Sequence, residues 1–104
     1  MTPLLLVQTT LPSEPAAAAM ADAFVENRLA ACVQASPVRS TYRWEGAVER
    51  ADEVRLDIKT TPAALDALLA RLRADHPYDE PEVLVFEARA SGGYAAWAAA
   101  ATGA

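Results

Sequence analysis

Hydrophobic positions change their period several times along this chain, and each change marks a new element. Leu4-Leu5-Leu6-Val7 is a short apolar run that ends near Thr9-Thr10, the length of a buried strand. From Ala16 to Leu29 the stripe Ala17, Met20, Ala21, Phe24, Val25 recurs at helical spacing, with Asp22 and Glu26 on the opposite side. Ser13 stands at the N-cap position and Pro15 in the first turn, where a missing N–H costs nothing. Ala31-Cys32-Val33-Gln34 opens a strand, and Pro37 predicts a bulge or bend within it. Beyond the proline, Val38, Ser40, Tyr42 and Trp44 alternate with Arg39, Thr41, Arg43 and Glu45, and Gly46 permits a reversal.

The return arm alternates more cleanly. Val54, Leu56, Ile58 and Thr60 share one face, while Glu53, Arg55, Asp57 and Lys59 share the other with alternating sign. Thr61-Pro62 predicts the start of a second helix, with Leu65, Leu68, Leu69 and Leu72 as its buried stripe. That helix must stop at His76-Pro77, because a residue before proline avoids the helical region. Pro77 and Pro81 stiffen the connection to a last strand, Glu82 to Arg89, with Leu84, Phe86 and Ala88 on one face. Ser91-Gly92-Gly93 breaks it, Tyr94 to Ala101 reads as a short helix anchored by Tyr94 and Trp97, and Thr102-Gly103-Ala104 as a frayed tail.

Strand, helix, strand, strand, helix, strand is the split βαβ, or ferredoxin-like, order: an α+β fold with two helices on one face of an antiparallel sheet. The 104 residues make one domain over positions 1–104. The central hairpin, Ala31 to Thr60, is too long for this plan, since strands average about five or six residues. Two helices cover only its middle. Its outer arms, with Tyr42 and Trp44, project as an exposed ribbon that another copy of the chain would complete.

Composition narrows the function. The net charge of −5 argues against a nucleic-acid partner, and no apolar run approaches a membrane span. The start, Met-Thr-Pro, lacks a signal peptide's positive flank, so a cytoplasmic location is expected. The single cysteine rules out an intrachain disulfide. Neither a phosphate-cradling glycine loop nor a Gly-x-Ser-x-Gly elbow occurs, and the expectation is a binding protein rather than an enzyme.

Several strings then match one family: Arg28-Leu29-Ala30-Ala31-Cys32-Val33, Ser40-x-Tyr42-Arg43-Trp44-Glu45-Gly46, Lys59-Thr60, His76-Pro77-Tyr78-x-x-Pro81-Glu82 and Tyr94-x-x-Trp97. In this order and spacing they resemble the CutA divalent-cation tolerance proteins, from about Leu4 to Trp97. The resemblance implies a homotrimer, kinship with trimeric PII-type signalling proteins, and a link to copper and other divalent cations. Relatives proposed to bind copper carry a cysteine near the end of the first strand and paired histidines before the Pro-Tyr. Here Thr9 and Asp75-His76 stand in those places, so copper affinity is expected to be weak.

Two candidate sites follow. His76, Asp75 and Glu82, held by the proline-stiffened connection, form a possible divalent-metal cluster; the alternative is a histidine favoured by the helix C-terminus. Cys32 reads as a small buried hydrophobe, with ligation as its alternative. Lys59, the only lysine, beside Glu53, Tyr42, Trp44 and Tyr78, would line a small-anion pocket between subunits, or else be an ordinary paired strand lysine. The remaining function readings are a PII-like small-molecule sensor and a trimeric protein-interaction scaffold.

Overall fold

The computed structural model describes residues 1–103. Its elements run β1 (Thr2–Leu11), α1 (Glu14–Glu26), β2 (Cys32–Trp44), β3 (Ala47–Thr60), α2 (Leu65–Asp75), β4 (Leu84–Ala90) and α3 (Gly92–Thr102). The four strands form one antiparallel sheet in the order β2-β3-β1-β4. This is the ferredoxin-like order that the sequence pattern predicts.

The core follows from the alternation along β1 and β3. Val7 and Leu11 on β1, with Val54, Leu56 and Ile58 on β3, are buried against Ala17, Met20 and Phe24 of α1 and Leu68 and Leu72 of α2. Ser13 caps α1, its hydroxyl accepting the Ala16 N–H at 3.3 Å. Arg28 then takes a left-handed backbone (φ +58°) that turns the chain out of the helix.

Several boundaries differ from expectation. β1 runs from Thr2 to Leu11, because Thr9 and Thr10 are buried within it rather than ending it. α1 stops at Glu26, where Asn27 and Arg28 leave the helical path. β2 passes through Pro37 without a bulge, in unbroken register from Cys32 opposite Lys59 to Trp44 opposite Ala47. β2 is an edge strand, and a proline fits there when its missing N–H faces the open side. α2 begins at Leu65, not at Pro62, because Thr61 first closes a turn in which its hydroxyl accepts the Ala64 N–H. β4 begins at Leu84, after the 76–83 segment.

The third helix lies on the sheet face opposite α1 and α2. Leu4, which alternates with the core-facing Leu5 and Val7, packs there with Ala31 and Ala98. α3 starts at Gly92 and keeps Thr102, whose hydroxyl donates to the Ala98 carbonyl, so that residue is helical rather than frayed. Ala104 lies outside the described residues. The Arg28 guanidinium donates to the Ala100, Ala101 and Gly103 carbonyls, at 3.2–3.5 Å, and so satisfies the C-terminal end of α3.

The hairpin of β2 and β3 does project. β1 pairs with β3 only as far as Val54, so beyond it the two arms have only each other as strand partners. The principal extents of 45 × 24 × 21 Å reflect that overhang. Its tip is a two-residue reversal, Glu45-Gly46, with φ of +49° and +80°. Two successive positive φ values match the twist of the flanking strands.

Candidate functional site

The functional geometry gathers where α2 ends. Because Pro77 follows, His76 adopts extended backbone (φ −70°, ψ 135°), and the helix closes with its N–H on the Leu72 carbonyl. This turn swings the imidazole inward. Nε2 lies 3.0 Å from the Thr10 carbonyl and 3.1 Å from the Thr9 hydroxyl, and Nδ1 accepts the Tyr78 N–H at 3.1 Å. The tautomer follows from these partners: a carbonyl only accepts, so Nε2 carries the proton and Nδ1 is bare. Burial lowers the pKa of His76 from its usual value, against the opposing pull of the Thr10 carbonyl and the Glu53 charge. His76 is therefore a neutral strut between β1 and the 76–83 segment.

Tyr78 extends this strut to the hairpin. Its ring packs on His76 with centroids 5.0 Å apart, and its hydroxyl donates to Glu53 Oε2 at 2.8 Å. Burial, then the Glu53 carboxylate, push the Tyr78 pKa up to about 12, so the phenol stays protonated as a donor. Beside this bond lies a half-open recess of about 390 Å³. Tyr42, Trp44 and Ser40 from β2, Glu53 from β3, Thr10 from β1, and Tyr78, Glu80 and Glu82 from the 76–83 segment line it.

Four of the five residues expected to line a pocket are thus brought together, and the fifth is not. Lys59 sits six residues along β3 from Glu53, about 20 Å at strand rise. It pairs opposite Cys32 and Leu6, and its ammonium lies 5.7 Å from the Tyr94 ring centroid beneath α3. With Lys59 absent and three glutamates present, the recess has the wrong charge for an anion.

The expected metal cluster does not assemble either. Both ring nitrogens of His76 are already bonded. Asp75 is held by Arg71, while Glu82 faces the recess. Among the described residues, no group of three or more His, Cys, Asp and Glu side chains is placed to hold a metal ion. The hydroxyl of Thr9 meets His76 where a thiolate would have offered a soft ligand, and Cys32 lies half-buried at the start of β2. These residues do not fit a tightly bound soft divalent ion. Trp97 is 49% exposed on α3, its ring tilted against that of Tyr94 with centroids 5.5 Å apart, and is not a core anchor within one chain.

Sequence reasoning missed Thr10 and Glu80 in this region, and it singled out Thr9 only as the residue standing where relatives carry a cysteine. Thr9 and Thr10 read as the end of a strand, and Glu80 as part of the proline-stiffened connection. The signal available was the His-Pro-Tyr string, which demands partners for an imidazole turned back from a helix end.

Fold and site together define a ferredoxin-like α+β protein with an overhanging hairpin and an acidic, aromatic recess. A profile of the family described as CutA1 divalent ion tolerance protein matches residues 5–101. The divalent-cation tolerance protein CutA of Thermus thermophilus is 46% identical over 80 residues, covering 76% of this chain and 78% of the relative. Its counterpart from Pectobacterium atrosepticum is 43% identical over 81 residues, 77% of this chain and 74% of that protein. The solved structure of CutA from Synechococcus elongatus PCC7942 superimposes with a TM-score of 0.95 at 41% identity, over 99% of this chain and 93% of that one. The chain belongs to the CutA1 divalent ion tolerance family.

Proposed function

We propose that this protein is a self-assembling binding protein rather than a catalyst, that three copies form the working unit, and that it serves divalent-cation tolerance without a tight copper site. The carrying observation is that the sheet has two free and dissimilar edges, β2 and β4, each bearing exposed apolar side chains. Tyr42, Trp44 and Val48 mark the hairpin, and Leu84, Val85 and Phe86 mark β4. Dissimilar edges complement one another head to tail, and such contacts are finite only when they close into a ring. Ser36 Oγ, on β2, is buried without a hydrogen-bond partner, and Arg55 Nε, on its paired residue of β3, is buried with only the Asp57 carboxylate at 3.5 Å, which fits a sheet face completed by another copy.

Sedimentation velocity at micromolar concentration tests this reading. The expected species has three times the 11.0 kDa chain mass. A well-folded single-chain species would overturn it. Copper binding on this reading is weak, because the imidazole that would anchor it is spent inside the fold. A Cu(II) titration by calorimetry is expected to show no tight site in the wild type, and a tight site would refute that part alone.

A further inference from the structure

We propose that the recess between the hairpin and the 76–83 segment binds a small organic ammonium ion. The proposal rests on the assembly reading in that a neighbouring copy packing on Tyr42 and Trp44 leaves their recess-facing surfaces free and closes the open side; every wall invoked belongs to one chain.

Three features select the ligand class. The first is charge: Glu53, Glu80 and Glu82 line the recess, and no lysine or arginine does, so a cation is favoured and an anion repelled. The second is surface: Tyr42 and Trp44 are 44% and 58% exposed and, with Tyr78, turn aromatic surface toward the same space. Aromatic faces attract cations, most strongly cations whose alkyl groups make them weakly hydrated. The third is the lack of convergence among the carboxylates. A bare divalent ion needs several oxygens at bonding distance, and no such group exists among the described residues. Glu53, which lines the recess, is instead oriented by the Tyr78 hydroxyl at 2.8 Å. A volume of about 390 Å³ suits a ligand of metabolite size.

Choline is the probe, and 3,3-dimethylbutan-1-ol, its neutral analogue of the same shape, is the control. The chain has two tryptophans, so two indole N–H signals report separately in a proton–nitrogen spectrum, assigned with Trp97→Phe. Choline is expected to shift the Trp44 signal saturably at millimolar concentration and to leave the Trp97 signal in place. The neutral analogue is expected to bind at least about tenfold more weakly, and Trp44→Ala or Glu53→Gln to lose a similar factor. The oligomer mass is measured on the same samples. No saturable shift up to about 50 mM choline in assembled protein overturns the proposal, including the case in which a neighbouring copy's side chain already fills the recess. Equal binding of the neutral analogue also overturns it. Binding retained by a single-chain species would sink the assembly reading and keep this one.

Discussion

Replacing His76 by alanine separates a structural histidine from a metal ligand. The substitution leaves the Thr10 carbonyl without its Nε2–H donor and the Tyr78 N–H without its Nδ1 acceptor. An orphaned buried group costs about 1–3 kcal/mol. Thr10 is buried, and its carbonyl carries the full penalty; Tyr78 is partly exposed, and its amide regains some water. The expected loss is about 2–4 kcal/mol, with His76→Gln recovering part of it because a carboxamide donates to the same carbonyl. Urea unfolding at pH 8 and fixed protein concentration measures the change, once with a chelator and once with Cu(II). Concentration must be held because assembly contributes to apparent stability. The same loss is expected in both solutions. A loss under about 1 kcal/mol, or one seen only with copper present, would show that the imidazole serves a metal.

Three other outcomes follow from the same geometry. His76 is the only histidine and its folded pKa lies below the usual 6.5, so between those two values the unfolded chain binds more protons. Stability should be complete above pH 6.5 and fall as pH drops toward the folded value; urea midpoints at pH 7.5, 6.5 and 5.5 that rise on acidification would contradict this, and His76→Gln should flatten the trend. Gly46→Ala should cost about 1 kcal/mol by urea unfolding, because its φ of +80° disfavours a side chain while nothing lies within 4 Å of the added Cβ; an unchanged midpoint would argue against the left-handed turn. Phe24→Ala should cost about 3–5 kcal/mol, since Phe24 is fully buried between α1 and the sheet; a loss under about 1 kcal/mol would mean that this core is looser than its burial implies.

Where period and burial coincide, the residues announce the fold. Val54, Leu56, Ile58 and Thr60 alternate in sequence and are all buried, and Leu68 and Leu72 lie where helical spacing puts them. α3 carries no such period: its inward surface is alanine, so the face it covers could not be told from pattern. The polar Thr9 concealed a buried strand position, because what keeps it there is a histidine 67 residues away. The recess is legible as a set of residue types, but within one chain Lys59 lies apart from it. Proximity along a motif says nothing of the distance that an extended strand inserts. Arg28 reads as an ordinary helix-end arginine until the fold carries the end of α3 to its guanidinium.

Pro37 has a consequence for how chains can join. With no N–H to offer, it removes one donor from β2, an edge strand. A proline on an edge strand is one of the devices that discourage a visiting strand from pairing along all thirteen residues. The hairpin tip can still be clasped by a neighbour, while sheet growth from chain to chain without limit, the route to fibres, is disfavoured inside every copy.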